Sequence, residues 1–159
     1  MQISRAGGVT IVNDAYNANP SSVRAALDTL RGLPCAGRRV AVLGDMRELG
    51  DATERYHREI GEVAAAAGLD HLVTVGKQSR FIAASALIKG MPPAQVLSFD
   101  TAADAAAAAP EWVRDGDLVL IKASRGIRLE QVARAIEAAL APAARQPVED
   151  QPRFFRRVG

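Results

Sequence analysis

Five short apolar runs constrain this chain most, because each is followed within a few residues by a helix signal. Val9-Thr10-Ile11-Val12, Arg39 to Gly44, His71 to Gly76, Val96 to Phe99 and Asp117 to Ile121 are short enough for strands, and most are apolar enough to be buried on both faces. Buried strands alternating with helices define an α/β, Rossmann-like doubly wound fold: a mainly parallel sheet of about six strands with helices on both faces. Apolar stripes of helical period mark where the helices pack. They are Val23, Ala26, Leu27 and Leu30; then Ile60, Val63, Ala64 and Ala67; then Phe81, Ile82, Ser85 and Ile88; and finally Leu129, Val132, Ala133, Ile136 and Leu140. Asp51 with Glu54 reads as a capped start for the second helix, and Asp100 or Thr101 caps the alanine-rich fourth.

The chain has 159 residues, 48% of them apolar, which is enough for one domain around one core. Its net charge is only +2, and 20 basic residues are scattered among 18 acidic ones, so no basic footprint for nucleic acid emerges. A single cysteine, Cys35, excludes an intramolecular disulfide. With neither a signal peptide nor an eighteen-residue apolar run, a reducing cytoplasm is the expected compartment. Residues 1–141 read as the domain and 142–159 as a flexible tail rich in proline and charge, in which Arg153-Phe154-Phe155-Arg156-Arg157 is a solvated end.

Parallel βα units place every loop that follows a strand on one edge of the sheet, where ligands of such folds bind. The polar motifs collect there: Asp14 to Asn19, Gly44 to Gly50, Gly76-Lys77-Gln78-Ser79 and Lys122-Ala123-Ser124-Arg125-Gly126. Asn19 before Pro20 is a helix start, so Asn19 fits a capping role and a ligand role equally. An ordinary tight turn does not require Asp14 or Tyr16. Arg47 reads as a surface ion-pair partner of Asp45 or Glu48. His57 shares the stripe of Ile60 and Ala64 and suits a structural hydrogen bond or a substrate contact, and Lys77 is a weak nucleotide-side candidate. Neither a G-x-x-x-x-G-K-[ST] loop nor a G-x-G-x-x-G turn is present, and one cysteine with two distant histidines supports no metal site or thiol nucleophile. No complete catalytic set is carried by these residues.

Asn13 to Ser22, Val42 to Gly50 with His57 downstream, Val75-Gly76-Lys77 and Ile121 to Gly126 together resemble the carboxyl-terminal domain of the Mur ligases, in the family's order from about Gly7 to Leu140. The Asp-Met-x-Glu-Leu-Gly segment is similar to the branch that adds a dipeptide rather than a single amino acid, while Ala123 stands where the family pattern has glycine. The resemblance implies an ATP-dependent ligase that uses Mg2+ and joins D-alanyl-D-alanine to UDP-N-acetylmuramoyl-tripeptide in peptidoglycan precursor synthesis. It also implies that other domains hold the UDP-sugar, the phosphate loop and the metal, so that this domain alone is inactive. By the same resemblance Asp14 accepts ribose hydroxyls, Tyr16 packs beside adenine, and Asn17 and Asn19 face the phosphates. Lys122, Ser124 and Arg125 face the dipeptide and the reacting phosphate, with Arg125 or Lys122 on a carboxylate or phosphate, and Asp45 and Glu48 orient the attacking amine. No nucleic acid and no membrane insertion are implied. Two further readings remain open: a stand-alone nucleotide-binding or regulatory module of Mur ligase descent without catalysis, and an interaction domain with no ligand.

Overall fold

A computed structural model describes residues 1–142; the expected tail beyond them lies outside the described residues. Along the chain run β1 (Gln2–Ala6), β2 (Val9–Asp14), α1 (Pro20–Gly32), β3 (Arg39–Gly44), α2 (Thr53–Ala66), β4 (His71–Val75) and α3 (Arg80–Ile88). They are followed by β5 (Val96–Phe99), α4 (Ala102–Trp112), β6 (Leu118–Lys122) and α5 (Glu130–Leu140). The six strands form one sheet in the order β1-β2-β6-β3-β4-β5. Every neighbouring pair is parallel except β1 with β2.

The five apolar runs are the five parallel strands. Strand β1 has no apolar run to announce it: Gln2, Ile3 and Arg5 are exposed, as an edge strand with one open side allows. It folds back on β2 and supplies the sixth strand as an antiparallel edge.

Helix α1 starts where Asn19-Pro20 marks it. The Asn19 side chain accepts the Ser22 N–H at 2.8 Å, and Ser22 Oγ accepts the Asn19 N–H at 3.1 Å, so two otherwise orphaned donors are satisfied reciprocally. Thr101, rather than Asp100, caps α4 through the Asp104 N–H. The expected cap of α2 by Asp51 and Glu54 does not form, because a 3-10 turn over Gly50–Ala52 runs straight into the helix and leaves Ala52 at its start. The stripe of α3 also differs from expectation. Ile82, Ala83, Ser85 and Ala86 are buried while Ile88 is 77% exposed, since α3 packs on α2 with its small side chains, Ser85 and Ala86 lying against Gly61.

Helices α1, α2 and α3 cover one face over a core that includes Val12, Leu27, Leu30, Leu43, Ile60 and Leu72. Helices α4 and α5 cover the other over Ile11, Val42, Val73, Val119, Ile121 and Ile136. Right-handed crossovers explain this division: the chain steps from β2 through β3 and β4 to β5 in one direction, then returns through α4 to insert β6 between β2 and β3. The loops after β2 and β6 therefore leave toward opposite faces and open a crevice between them. At the opposite edge, Asp117 is almost fully buried and held by Arg38 Nε and Nη2 at 2.9 and 2.7 Å and by the Arg114 N–H at 2.8 Å. Among the described residues no helix is long and apolar enough to cross a membrane.

Candidate functional site

A cleft of about 340 Å³ opens at the carboxyl ends of β2 and β6, lined by Gln2, Asn13, Asp14, Tyr16, Arg125 and Glu130 among others. The parallel register of β2 and β6 makes Asp14 and Lys122 direct partners. Lys122 Nζ donates to Asp14 Oδ2 at 2.5 Å and to the Asn17 carbonyl at 2.9 Å. Lys122 is 3% exposed and Asp14 20%, so the ammonium is enclosed while the carboxylate keeps an edge in the cleft. Desolvation pushes the Asp14 carboxyl up, but the hydrogen bond and charge of Lys122, with the Met1 amino group, outweigh it and hold the carboxyl below its ordinary value.

Tyr16 is 72% exposed, and its ring carries the Arg125 guanidinium 5.3 Å from its centroid. Residues assigned by sequence to a nucleotide side and to a dipeptide side thus meet in pairs, Asp14 with Lys122 and Tyr16 with Arg125. Asn17 is exposed and contributes its carbonyl to Lys122, while Asn19 is engaged as the α1 cap.

Beside the cleft, Ser124 ties three loops together. Its N–H donates to the Asp45 carbonyl at 3.1 Å, its Oγ accepts the Arg47 N–H at 2.9 Å, and the same hydroxyl donates to the Ala18 carbonyl at 3.4 Å. The Asp45 carboxylate accepts the Ser79 N–H at 2.7 Å and fills the place where residue 76 would carry a side chain; a Cβ there would lie 2.4 Å from Oδ1. With φ at +115°, position 76 requires glycine on both counts. Glu48 is exposed in the left-handed region at φ +63°. Arg47 forms no ion pair with Asp45 or Glu48 among the described residues, and its guanidinium lies against Gly126 instead. His57 is fully buried with both ring nitrogens bonded within the protein, which is the structural role of the two foreseen. Lys77 is exposed.

Sequence reasoning missed Gln2, Asn13 and Glu130 as cleft residues. Gln2 reaches the cleft only through the β1 hairpin, and Glu130 through the start of α5; Asn13 lay inside the quoted motif but was given no site role. No group of three or more His, Cys, Asp or Glu side chains able to hold a metal exists among the described residues.

An open, mainly parallel sheet with a polar crevice at the point where its strand order reverses is the doubly wound α/β architecture, a class whose ligands bind at the carboxyl edge of the sheet. The family model described as "Mur ligase, glutamate ligase domain" matches residues 1–125, and the chain belongs to that family. It is 42% identical over 127 residues to UDP-N-acetylmuramoyl-tripeptide--D-alanyl-D-alanine ligase of Bacillus subtilis, covering 80% of this chain and 28% of that one. The Escherichia coli ligase of the same name is 37% identical over 127 residues, covering 80% and 26%. Among solved structures, the MurF ligase from Thermotoga maritima in complex with ADP superposes with a TM-score of 0.71 at 30% identity, covering 87% of this chain and 30% of that one. MurF from Acinetobacter baumannii gives 0.75 at 29% identity, covering 86% and 30%. The chain spans little more than a quarter of the length of the curated relatives it matches.

Proposed function

We propose that this chain acts as the nucleotide- and dipeptide-facing domain of an ATP-dependent ligase that joins D-alanyl-D-alanine to UDP-N-acetylmuramoyl-tripeptide in the cytoplasm. The observation that carries this reading is the pairwise meeting of Asp14 with Lys122 and Tyr16 with Arg125 in one cleft, in a member of this family. Tyr16 offers a flat exposed face to adenine. Asp14, kept ionised by Lys122, retains lone pairs for ribose hydroxyls, and Asn17 and Asn19 flank the amino end of α1, whose dipole favours phosphate oxygens. The Arg125 fork matches the free carboxylate of the dipeptide, and Asp45 and Glu48 sit on the turn that faces the amine. Lys122 and Ser124 serve from behind, through the loops they tie.

In the reaction, the tripeptide carboxylate takes the γ-phosphoryl group of ATP, and the dipeptide amine then displaces phosphate from the acyl phosphate, forming the amide and losing a proton. Residues 1–142 contribute binding and orientation to these steps. The phosphate loop and Mg2+ belong to other domains of such a ligase.

Calorimetric titration of this chain with a non-hydrolysable ATP analogue and magnesium, then with D-alanyl-D-alanine, tests the reading beside Tyr16→Ala and Arg125→Ala, both exposed positions that leave the fold intact. Nucleotide affinity falls in the first variant and dipeptide affinity in the second. Retention of both affinities in both variants refutes the assignments. Nucleotide binding with no dipeptide response favours the second reading, a nucleotide-binding or regulatory module of Mur ligase descent without catalysis.

A further inference from the structure

The turn after β3 is tied down residue by residue. The Asp45 carboxylate takes the Ser79 N–H at the start of α3, the Met46 N–H donates to His57 Nε2 in α2 at 3.0 Å, and the Arg47 N–H donates to Ser124 Oγ in the loop after β6. Three consecutive residues are thus anchored to three different elements. The next residue, Glu48, takes the left-handed conformation at φ +63°, which a glutamate holds only where its surroundings over-determine it.

Of the three anchors, Ser79 and His57 are both fully buried, and His57 is the one that acts through a side chain from inside a helix. Because the Met46 amide can only donate, Nε2 must be the bare nitrogen; Nδ1 therefore carries the proton and gives it to the Thr53 carbonyl at 2.7 Å. A doubly protonated ring would have to surrender the Met46 bond. Met46 itself is buried, so its N–H has no water to fall back on.

We propose that His57 is a positioning residue: as a neutral Nδ1–H imidazole it fixes the Met46 amide and thereby sets the left-handed Glu48 turn that presents a carboxylate to the amine of the incoming dipeptide. The last clause rests on the functional reading above; the setting of the turn does not. An aliphatic side chain of similar size fills the same space without accepting the Met46 N–H, whereas glutamine places an oxygen near the position of Nε2 and restores that acceptor.

Heteronuclear NMR on the wild-type chain, His57→Leu and His57→Gln tests this without any ligand. The wild type shows a coupling across the Met46 N–H···Nε2 hydrogen bond and the strong intraresidue Glu48 HN–Hα NOE characteristic of positive φ. In His57→Leu the Met46 and Arg47 amides exchange about tenfold faster, the effect of losing one hydrogen bond of ordinary strength, and the intraresidue Glu48 HN–Hα NOE weakens. Amides of β4 and β6 keep their protection, and His57→Gln returns the turn toward the wild type. An unchanged turn in a folded His57→Leu overturns the proposal, as does equal loss of turn and core protection in both variants. Titration of the same samples with D-alanyl-D-alanine separates the two readings: a wild type that lacks a dipeptide response counts against the amine-side assignment, while the ligand-free spectra still decide the role of His57.

Discussion

Asp14 and Lys122 form a pair whose two halves are unequally buried, and that inequality predicts which half is costlier to remove. In Asp14→Ala the ammonium of Lys122, 3% exposed, keeps only the Asn17 carbonyl as partner. Removing one member of a buried pair typically costs 3–5 kcal/mol, and the open edge of Asp14 places this case at the lower end, about 3 kcal/mol. In Lys122→Met the orphan is instead a carboxylate that is 20% exposed and can be hydrated from the cleft, so the loss is roughly that of one hydrogen bond to a charged group, about 1.5 kcal/mol. With a urea slope of about 2 kcal/mol/M, the midpoints fall by about 1.5 M and about 0.8 M. The double variant carries no buried charge and lies above Asp14→Ala. A Lys122→Met chain as unstable as Asp14→Ala, or a double variant below both, refutes the reasoning.

Acid extends the same test. The Asp14 carboxyl is held below its ordinary value of 3.8, so the unfolded chain takes up the proton first; the stabilisation is complete above that value and is lost as pH falls beneath it. The double variant lacks this acid-dependent component.

Three shorter predictions accompany it. In Gly44→Ala the new Cβ would meet the Ala123 Cβ at 2.6 Å where β3 and β6 end, which costs about 1–3 kcal/mol in thermal unfolding, and adding Ala123→Gly recovers part of it. An unchanged melting temperature in the single variant contradicts this. Arg38→Met strips the bidentate partner from buried Asp117 and costs about 3–5 kcal/mol by urea titration, whereas a loss under about 1 kcal/mol would mean that water reaches that carboxylate. His71 is held below its ordinary value of 6.5, chiefly by burial and then by the Arg38 charge, so folding disfavours its protonation and stability declines as pH drops below that value. His71→Gln flattens this part of the stability profile, and an identical slope in both proteins excludes His71 as its source.

How far the fold and site were readable depends on whether the information is local. The strand runs, the Asn19-Pro20 start of α1 and the α5 stripe are local, and all appear as read. Strand β1 was invisible because an edge strand with exposed Gln2, Ile3 and Arg5 carries no buried run. The α3 stripe shifted because neighbouring α2, rather than the period alone, decides which residues of a nine-residue helix are covered. Asp14 and Lys122 were assigned to opposite sides of the site because nothing local reveals that β6 lies next to β2. Once that adjacency exists, register alone joins them. Arg47 failed as an ion-pair partner for the same reason: Gly126, far along the chain, offers a bare surface that the turn sequence does not advertise.

A strand at the middle of the sheet, β6, is the last one among the described residues. Until Leu118–Lys122 is in place, β2 has no parallel neighbour, and β3 has only β4. The earlier residues therefore amount to a hairpin and a separate three-stranded sheet, each with an open edge. Insertion of β6 closes both edges in one event, and the same event carries Lys122 to Asp14 across 108 positions of sequence. A chain ending before Leu118 lacks not a margin of the site but the crevice itself, so ligand binding reports completion of the fold.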